Sequence, residues 1–291
     1  MDKTRLTPQL AWKLVEAAVA APSIRNTQPW RFTARPADQV IELSADPARM
    51  LRGTDPDGRA VHISCGAALF NLRLAATCAS VEPVTRLLPQ PRDPQLLATV
   101  RLAGRRLPRP RERDLYAAIW RRHTTRAPLR GPPVRMPVLA ALGEAAELEG
   151  TALFLLDDAA TLRVSGLATA AQQRQSTDPD HLRGRPQLAV ITTRTGSAAD
   201  WLRAGQALQR VLLLATQHGI VACPLSEALD IGDPAVDLGP GFGGQRPQLI
   251  LRLGYGPQGP PTPRRPVSEV LRIAAPVPPR GGAALLPAGH R

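Results

Sequence analysis

Three polar side chains lie close together between two prolines near the start of the sequence. Ser23, Asn26 and Gln28 fall between Pro22 and Pro29. A hydroxyl and two amide groups at this spacing offer hydrogen bonds, together with free backbone N–H groups, to a polar heterocycle bound across the loop. A simple Asx or Ser turn that ends a helix explains the same local pattern equally well. The residues alone therefore leave ligand binding and a helix-ending turn as open alternatives.

Arginines next to hydroxyl residues form a second candidate site. The segment RRHTTR contains Arg122, Thr124 and Arg126, and a basic pair, Arg264 and Arg265, follows much later in the chain. Guanidinium groups on either side of a hydroxyl make several charge-assisted hydrogen bonds to a phosphate. Without further context, a solvated basic helix end is the more common origin of such a segment.

Other patterns that carry chemistry in many enzymes have little support here. The run at 239–244 satisfies GxGxxG, but it follows a loop and leads into a strand, whereas a dinucleotide fingerprint follows a strand and opens a helix. Cys65, Cys78 and Cys223 lie in apolar segments without CxxC spacing, which favours buried thiols over disulfides or metal ligands. The five histidines show no ligand-like spacing. We therefore expect no metal site.

The composition is strongly basic and rich in arginine. The formal net charge is +13, and among the 37 basic residues Lys3 and Lys13 are the lysines. Such a charge suggests nucleic-acid binding. No basic segment alternates with aromatic residues, however, and aromatic residues make up 3% of the chain, so base stacking has little support. We expect no specific nucleic-acid partner, and an arginine-rich nucleic-acid-binding protein is kept as the second alternative function.

The length and hydropathy indicate a large soluble fold. With 291 residues and 43% hydrophobic content, the chain buries one large core or two closely joined halves. No apolar stretch stands out as long enough to span a bilayer, and the N-terminal sequence lacks the apolar core of a signal peptide. We therefore expect a cytoplasmic protein with no membrane partner.

Two apolar helices are predicted at the centre of the molecule. Residues 59–79 and 198–218 align when Gly66 is set on Gly205, and they then share Gly, Ala, Leu, Leu, Ala and Thr. Chance similarity between Ala- and Leu-rich helices is the alternative, but each helix also leads to a proline-bounded apolar strand. The pattern therefore predicts two similar halves.

The remaining patterns predict an α+β chain with a sheet flanked by helices. A first helix begins after Thr7, an N-cap residue, with Pro8 at its first position. Strands are predicted at 40–43, 94–102, 151–156, 188–192 and 247–253. The predicted organisation is a first half at 1–106, a second half at 107–274 and a poorly ordered tail at 275–291.

The loop sequence APSxxNxQPWRF at 21–32 resembles the flavin-contacting loop of the nitroreductase family. Segments at 55–76, 121–128, 201–226 and 247–265 follow in the order of the same family. Together they are similar to the Acg-type branch, over most of the chain. The resemblance implies a nitroreductase-like fold, in which two similar halves form a pseudo-dimer around a central helical core with flanking sheets.

The resemblance also implies a single FMN bound between the halves. The second half opens with a segment like the family's RRSxR phosphate site, and CPLS follows the second central helix where the family has CPxEG near flavin N5. Ser226 and Glu227 depart from that pattern, which makes the N5 contact less secure than the phosphate site. The implied cofactor-binding residues are Pro22, Ser23, Asn26, Gln28, Arg122, Thr124, Arg126, Pro224, Leu225, Ser226, Arg264 and Arg265.

The implied activity is that of an FMN-dependent NAD(P)H oxidoreductase. Such a protein passes hydride through flavin N5 to an electron-poor small molecule such as a nitroaromatic, a quinone or a biosynthetic intermediate. The flavin carries the chemistry. No catalytic side chain is therefore assigned beyond the placement of Ser226 and Glu227 near N5.

A non-catalytic FMN-binding or storage protein is the first alternative, because Acg-like relatives cover the flavin with a long insertion. The corresponding stretch here, 172–185, is short and polar, and we expect it to be an open loop. The internal pseudo-dimer predicts a monomer, with a weak homodimer as the alternative.

Overall fold

The protein consists of helices packed on two sheets. The computed structural model describes residues 5–51, 53–125, 127–129, 131–162, 164, 187–225 and 242–275. The helices are Pro8–Val19 (α1), Arg59–Cys78 (α2), Pro110–Ile119 (α3), Met136–Glu147 (α4), Ala198–Gln217 (α5) and Val267–Val270 (α6). The strands are Trp30–Arg35 (β1), Val40–Ala45 (β2), Val81–Leu87 (β3), Leu96–Arg105 (β4), Ala152–Leu155 (β5), Gln187–Thr193 (β6), Val221–Pro224 (β7), Arg246–Gly254 (β8) and Leu271–Ile273 (β9). The predicted α+β class is confirmed.

The two sheets share one strand order. The first sheet runs β3-β4-β2-β1-β9 and the second runs β7-β8-β6-β5. In each sheet, an antiparallel pair that precedes a long central helix lies beside the antiparallel pair that follows it. Strands β1 to β4 around α2 thus correspond to β5 to β8 around α5.

The C-terminal part of the described chain returns to the first sheet. Strand β9 pairs in parallel with β1, with Phe32 opposite Leu271. Val267 and Val270 of α6 lie in the same hydrophobic cluster as the first central helix. Although the predicted second half covers 107–274, its last elements therefore complete the core and the sheet of the first half.

Local capping explains where the longer helices begin and end. The Thr7 hydroxyl accepts a hydrogen bond from the Leu10 amide at 3.1 Å, so the predicted start of α1 is confirmed. Ser197 caps α5 by accepting from the Asp200 amide at 3.3 Å. Gly219, with φ +67°, follows α5 in the left-handed conformation that a C-terminal glycine supplies.

The central helices α2 and α5 cross at two glycines. A Cβ atom added at Gly66 would overlap the carbonyl of Leu202, and one added at Gly205 would overlap the carbonyl of Ile63. The two contacts are reciprocal, because each glycine meets the carbonyl group three residues before the other glycine. Glycine at both positions allows the helix backbones to touch, which fixes α2 and α5 at the centre of the protein.

Helix α2 is long and apolar enough to cross a membrane by length and composition. Its mean hydropathy is 1.2 over the relevant window, and 78% of that window is buried inside the protein. The expectation that no stretch has this property was therefore wrong for α2. Burial against α5 and the first sheet accounts for the apolar character of this helix.

Candidate functional site

A cleft opens where the two halves meet. The first half contributes the loop 22–25 and the first turns of α2, and the second half contributes α5, β7 and β8. Apolar side chains form much of its wall, and polar groups come from the loop and from the segment after α3. The lining includes Pro22, Ser23, Ile63, Ser64, Thr124, Leu208, Pro224 and Leu249.

The loop after α1 holds an unusual backbone conformation. Arg25, Asn26 and Gln28 have φ angles of 45°, 56° and 51°, in the left-handed region that residues other than glycine seldom adopt. Two hydroxyl groups hold this conformation. Ser64 accepts from the Ile24 amide at 3.1 Å, and Ser23 accepts from the Gln28 amide at 2.9 Å. The predicted helix-ending turn and the cleft wall are thus the same loop.

The two predicted amide side chains bind the protein's own segment 263–265. Asn26 donates to the Pro263 carbonyl at 3.0 Å, and its oxygen accepts from Arg264 at 3.2 Å. Gln28 is 5% exposed, and its oxygen accepts from the Arg265 amide at 2.7 Å. Asn26 and Gln28 were expected to face a ligand, whereas here they fix the segment that carries the basic pair.

Two arginines converge on one carbonyl group. Arg122 and Arg264 donate to the Ala20 carbonyl at 3.4 and 3.5 Å, and Arg122 also donates to the Thr124 hydroxyl at 3.2 Å. The Nε atoms of both arginines are buried without a hydrogen-bond partner. Within the part of the chain that the structure describes, no carboxylate forms an ion pair with either guanidinium. The pair therefore provides positive charge and spare donors for an anion.

Burial and mutual repulsion weaken the basicity of this pair. Burial, and then the neighbouring Arg264, lower the pKa of Arg122 to about 10, and burial lowers the pKa of Arg264. The pKa of His123 is also lowered, by burial first and then by Arg122 and Arg264. A bound anion would relieve this repulsion.

Arg265 has a different environment from its neighbour. Its guanidinium lies 3.6 Å from the Asp46 carboxylate and 3.3 Å from that of Glu269. Asp46 is itself buried and also pairs with Arg31 at 2.8 Å. Arg265 was expected to bind phosphate, but the carboxylates of Asp46 and Glu269 already balance its charge. Arg264 is therefore the member of the pair that lies beside Arg122.

Part of the predicted N5 segment lies in the cleft wall. Pro224 lines the cleft, while Leu225 is buried and donates its amide to the Ile250 carbonyl at 2.8 Å. The Leu225 amide is therefore already used within the second sheet. The predicted residues Arg126, Ser226 and Glu227, the loop 172–185 and the tail beyond residue 275 lie outside the described residues.

Two residues that sequence reasoning missed hold the segment around Thr124 in place. Arg252 is 1% exposed and donates to the carbonyls of Thr125 and Ala127 at 3.2 and 2.9 Å, which holds the segment after Thr124 against β8. Gly259 lies against the Thr124 carbonyl, which a Cβ atom would overlap. The signal for Arg252 was a single charged residue inside an apolar strand, since buried arginines need partners.

Comparisons with known proteins agree on one family. A Mycobacterium tuberculosis protein named "Putative NAD(P)H nitroreductase Rv3131" is 31% identical over 314 residues, covering 87% of this chain and 88% of that protein. Another from the same species, named "Putative NAD(P)H nitroreductase acg", is 29% identical over 330 residues, covering 94% and 99%. The crystal structure of a protein described as a nitroreductase from Anabaena variabilis superposes with a TM-score of 0.58 at 11% identity, covering 87% of this chain and 90% of that one. No family model matches the sequence.

Proposed function

Because the chain belongs to the nitroreductase family, we propose that it is an FMN-dependent NAD(P)H oxidoreductase. The observation that carries the proposal is the meeting of two arginines, the buried Arg122 and the half-buried Arg264, at the Ala20 carbonyl. Arg122 also donates to Thr124, which lines a cleft with apolar walls. A phosphate monoester carries close to two negative charges at neutral pH and presents several acceptor oxygens. It matches two guanidinium groups whose Nε donors are both unused.

The residues present fit the two ends of FMN. Arg122, Thr124 and Arg264 would hold the phosphate, with a charge-assisted hydrogen bond contributing about 1.5–3 kcal/mol. Pro22, Ile63 and the other apolar residues of the cleft would enclose the flavin ring. When bound, FMN supplies the redox chemistry that links a nicotinamide donor to an electron-poor acceptor.

The side chains of the cleft would then bind and orient FMN and exclude water from it. Ser23 and Ser64 keep the loop in its left-handed conformation, which fixes the position of the cleft wall. Ile63, Leu208 and Leu249 make the wall apolar and keep solvent from a bound ring.

We propose in addition that the chain is a nitroreductase dimer fused into one polypeptide. Three observations support this: the shared strand order of the two sheets, the reciprocal contacts of Gly66 and Gly205, and a cleft built from both halves. A contact that repeats with exchanged partners is the pattern of a two-fold interface. The fusion accounts for a single site that takes its loop from one half and its arginines from the other.

The proposed activity is tested with the purified protein loaded with FMN. Under anaerobic conditions, NADH or NADPH should bleach the flavin absorbance near its visible maximum, and a quinone or nitroaromatic added afterwards should restore it. Bound flavin that stays oxidised in excess of both nucleotides would instead support flavin storage. Failure to retain flavin at all would contradict both functions.

A further inference from the structure

A buried carboxylate lies where the loop after α1 joins the first sheet. Asp46 follows β2, is 2% exposed, and donates its amide to the Pro29 carbonyl at 2.9 Å. Three guanidinium groups surround it, those of Arg31, Arg265 and Arg49, at 2.8, 3.6 and 3.9 Å from its oxygens. A carboxylate offers about four lone-pair sites, so one anion can serve several cations. Asp46 therefore holds three arginines together at the end of the loop.

Two of these arginines also bind the loop itself. Arg49 turns its Nε atom to Asp46 and donates from Nη1 to the Thr27 carbonyl at 3.2 Å. The Nη1 atom of Arg265 faces Asp46 and donates to the Gln28 carbonyl at 3.4 Å. Gln28 has a positive φ angle, and such a conformation persists where surrounding contacts hold it. Asp46 thus reaches two consecutive carbonyls of the loop through two arginines.

The three guanidinium groups would repel one another without this carboxylate, because little water screens charges at a buried site. Arg31 and Arg49 could turn into solvent, since their side chains are 57% and 39% exposed. The Arg265 side chain is 13% exposed and would keep Glu269, whose own side chain is 53% exposed. Neutral carbonyl acceptors make weaker bonds to a guanidinium than a carboxylate does. The positions of Arg49 and Arg265 therefore depend on Asp46.

The same contacts decide which arginine of the basic pair meets Arg122. The guanidinium of Arg265 is turned towards Asp46. Its neighbour Arg264 donates instead to the Ala20 carbonyl, to which Arg122 also donates. With Arg265 held by Asp46, Arg264 is the member of the pair that joins Arg122.

We propose that Asp46 is a positioning residue for the phosphate end of the FMN site. It acts through Arg49 and Arg265, which fix the loop after α1, and it keeps Arg265 apart from Arg122 and Arg264. This role rests on the proposed FMN site and adds to it a residue that lies outside the cleft lining.

Asp46→Asn separates positioning from charge balance, because it removes the negative charge and keeps the shape of the side chain. If Asp46 only balanced charge, its loss would leave one more uncompensated cation near the phosphate site and tighten FMN binding. If Asp46 positions the loop and Arg264, FMN binding should weaken by about tenfold, which equals roughly 1.4 kcal/mol. Isothermal titration of the flavin-free protein decides between the two signs, and tighter binding would overturn the proposal.

A double-mutant cycle connects this effect to Arg264. In the Asp46→Asn background, Arg264→Ala should cost about five- to tenfold less FMN affinity than it does in the native background, because Arg264 has already lost its position. A residue that contributes only to global stability would leave the cost of Arg264→Ala unchanged. Losses that simply multiply in the double variant would therefore contradict the role of Asp46.

Hydrogen exchange tests the loop without flavin. The amides of Asn26, Thr27 and Gln28 are bonded inside the loop, and Asp46→Asn should speed their exchange by about tenfold while the amides of α5 keep their rates. Unchanged exchange in the loop would overturn the proposal. A wild-type protein that binds no FMN would contradict the proposed function, and the exchange rates would still test Asp46.

Glu149→Gln is the matched control. Glu149 is another buried carboxylate shared by two arginines, Arg73 and Arg210, and it lies outside the cleft lining. The variant should lower the free energy of unfolding but leave FMN affinity and loop exchange unchanged. An equal loss of FMN affinity in this variant would reduce the Asp46 effect to general destabilisation and would overturn the proposal.

Arg49→Gln is the second variant, and it decides the matter if Asp46→Asn does not fold. It removes the contact with the Thr27 carbonyl and leaves Asp46 with two arginines. We expect it to weaken FMN binding by about threefold and to speed exchange in the loop. Native FMN affinity together with native loop exchange in the Arg49 variant would overturn the proposal.

Discussion

Arg122 and Arg264 together allow a direct test of the phosphate site at the residue scale. We expect Arg122→Ala to weaken FMN binding by roughly 10- to 150-fold, the equivalent of one charge-assisted bond of about 1.5–3 kcal/mol. Isothermal titration of the flavin-free protein measures this. Arg121→Ala is the control, because Arg121 is the adjacent, exposed arginine and should leave the affinity unchanged. Wild-type affinity in the Arg122 variant would remove this residue from the site.

The adjacent residues Arg264 and Arg265 should respond differently to substitution. Arg264→Ala should weaken FMN binding as strongly as Arg122→Ala. Arg265→Ala removes one of the cations around the buried Asp46 carboxylate, which keeps Arg31, so it should lower the free energy of unfolding by about 1–2 kcal/mol. Urea unfolding and FMN titration of both variants separate the two roles. A stronger loss of FMN affinity in the Arg265 variant would reverse this assignment.

The pKa of His123 should depend on the positive charge of Arg122 and Arg264. Its pKa lies below the usual value because of burial, Arg122 and Arg264. A bound phosphate opposes that field, so we expect FMN to raise the pKa of His123. By linkage, FMN then binds more tightly when His123 is protonated, and affinity falls as pH rises through this pKa. NMR titration of the histidine ring measures the shift.

Arg264→Gln supplies the control for this titration. In the flavin-free protein it removes one repelling charge and should raise the pKa of His123. The same lowered pKa means that protonating His123 disfavours the folded, flavin-free protein as pH falls below the unfolded value of about 6.5. A pKa of His123 that changes neither with FMN nor in the variant would show that the histidine does not sense this site.

Sequence reasoning identified the chemistry of these residues better than their partners. It selected Arg122, Thr124 and Arg264, and the structure brings these three together. It could not decide which arginine of the Arg264–Arg265 pair joins Arg122, because adjacent side chains in an extended segment point to opposite sides. Arg265 instead forms an ion pair with the carboxylate of Asp46, which lies far away in the sequence.

At the scale of the elements, the crossing of α2 and α5 gives a stability prediction. Gly205→Ala should lower the free energy of unfolding by about 1–3 kcal/mol or more, because the new Cβ overlaps the Ile63 carbonyl and forces the helices apart. Gly143→Ala is the matched control, since Gly143 lies inside α4 with no atom near its Cβ position. It should stabilise by about 0.4–1 kcal/mol. Urea unfolding measures both changes, and equal effects would contradict the close crossing.

Elements with a strong apolar pattern were predictable, while the edge strands β3 and β9 were not. The helices around Gly66 and Gly205 and the strand at 247–253 lie where periodicity predicted them. Strand β3 was missed because it contains Pro83 and alternates in exposure as an edge strand does. Strand β9 has three residues and exists through its pairing with β1, which no local pattern records.

At the scale of the whole molecule, the similarity of the halves stops short of identity. Both halves have the same strand order, yet β9 extends only the first sheet, and the described residues include one pair of arginines without an ion-pair partner, Arg122 and Arg264. Sequence alignment of the central helices suggested the duplication, but the pairing of β9 with the first sheet required three-dimensional contacts. Two sheets with the same strand order are therefore part of an asymmetric protein.

This asymmetry predicts one FMN for each chain of 31.2 kDa. The cleft takes its loop from the first half and Thr124 from the second, and both arginines that meet at the Ala20 carbonyl, Arg122 and Arg264, belong to the second half. Saturating the protein with FMN, removing unbound flavin and releasing the remainder by heat should give a flavin-to-protein ratio of one. Light scattering after gel filtration shows whether that ratio belongs to a single chain. The paired variant Arg122→Ala with Arg264→Ala should reduce the ratio towards zero while the mass stays the same. A ratio of two in the wild-type protein would mean that the matching cleft is also complete, and the fused dimer would then have kept both of its sites.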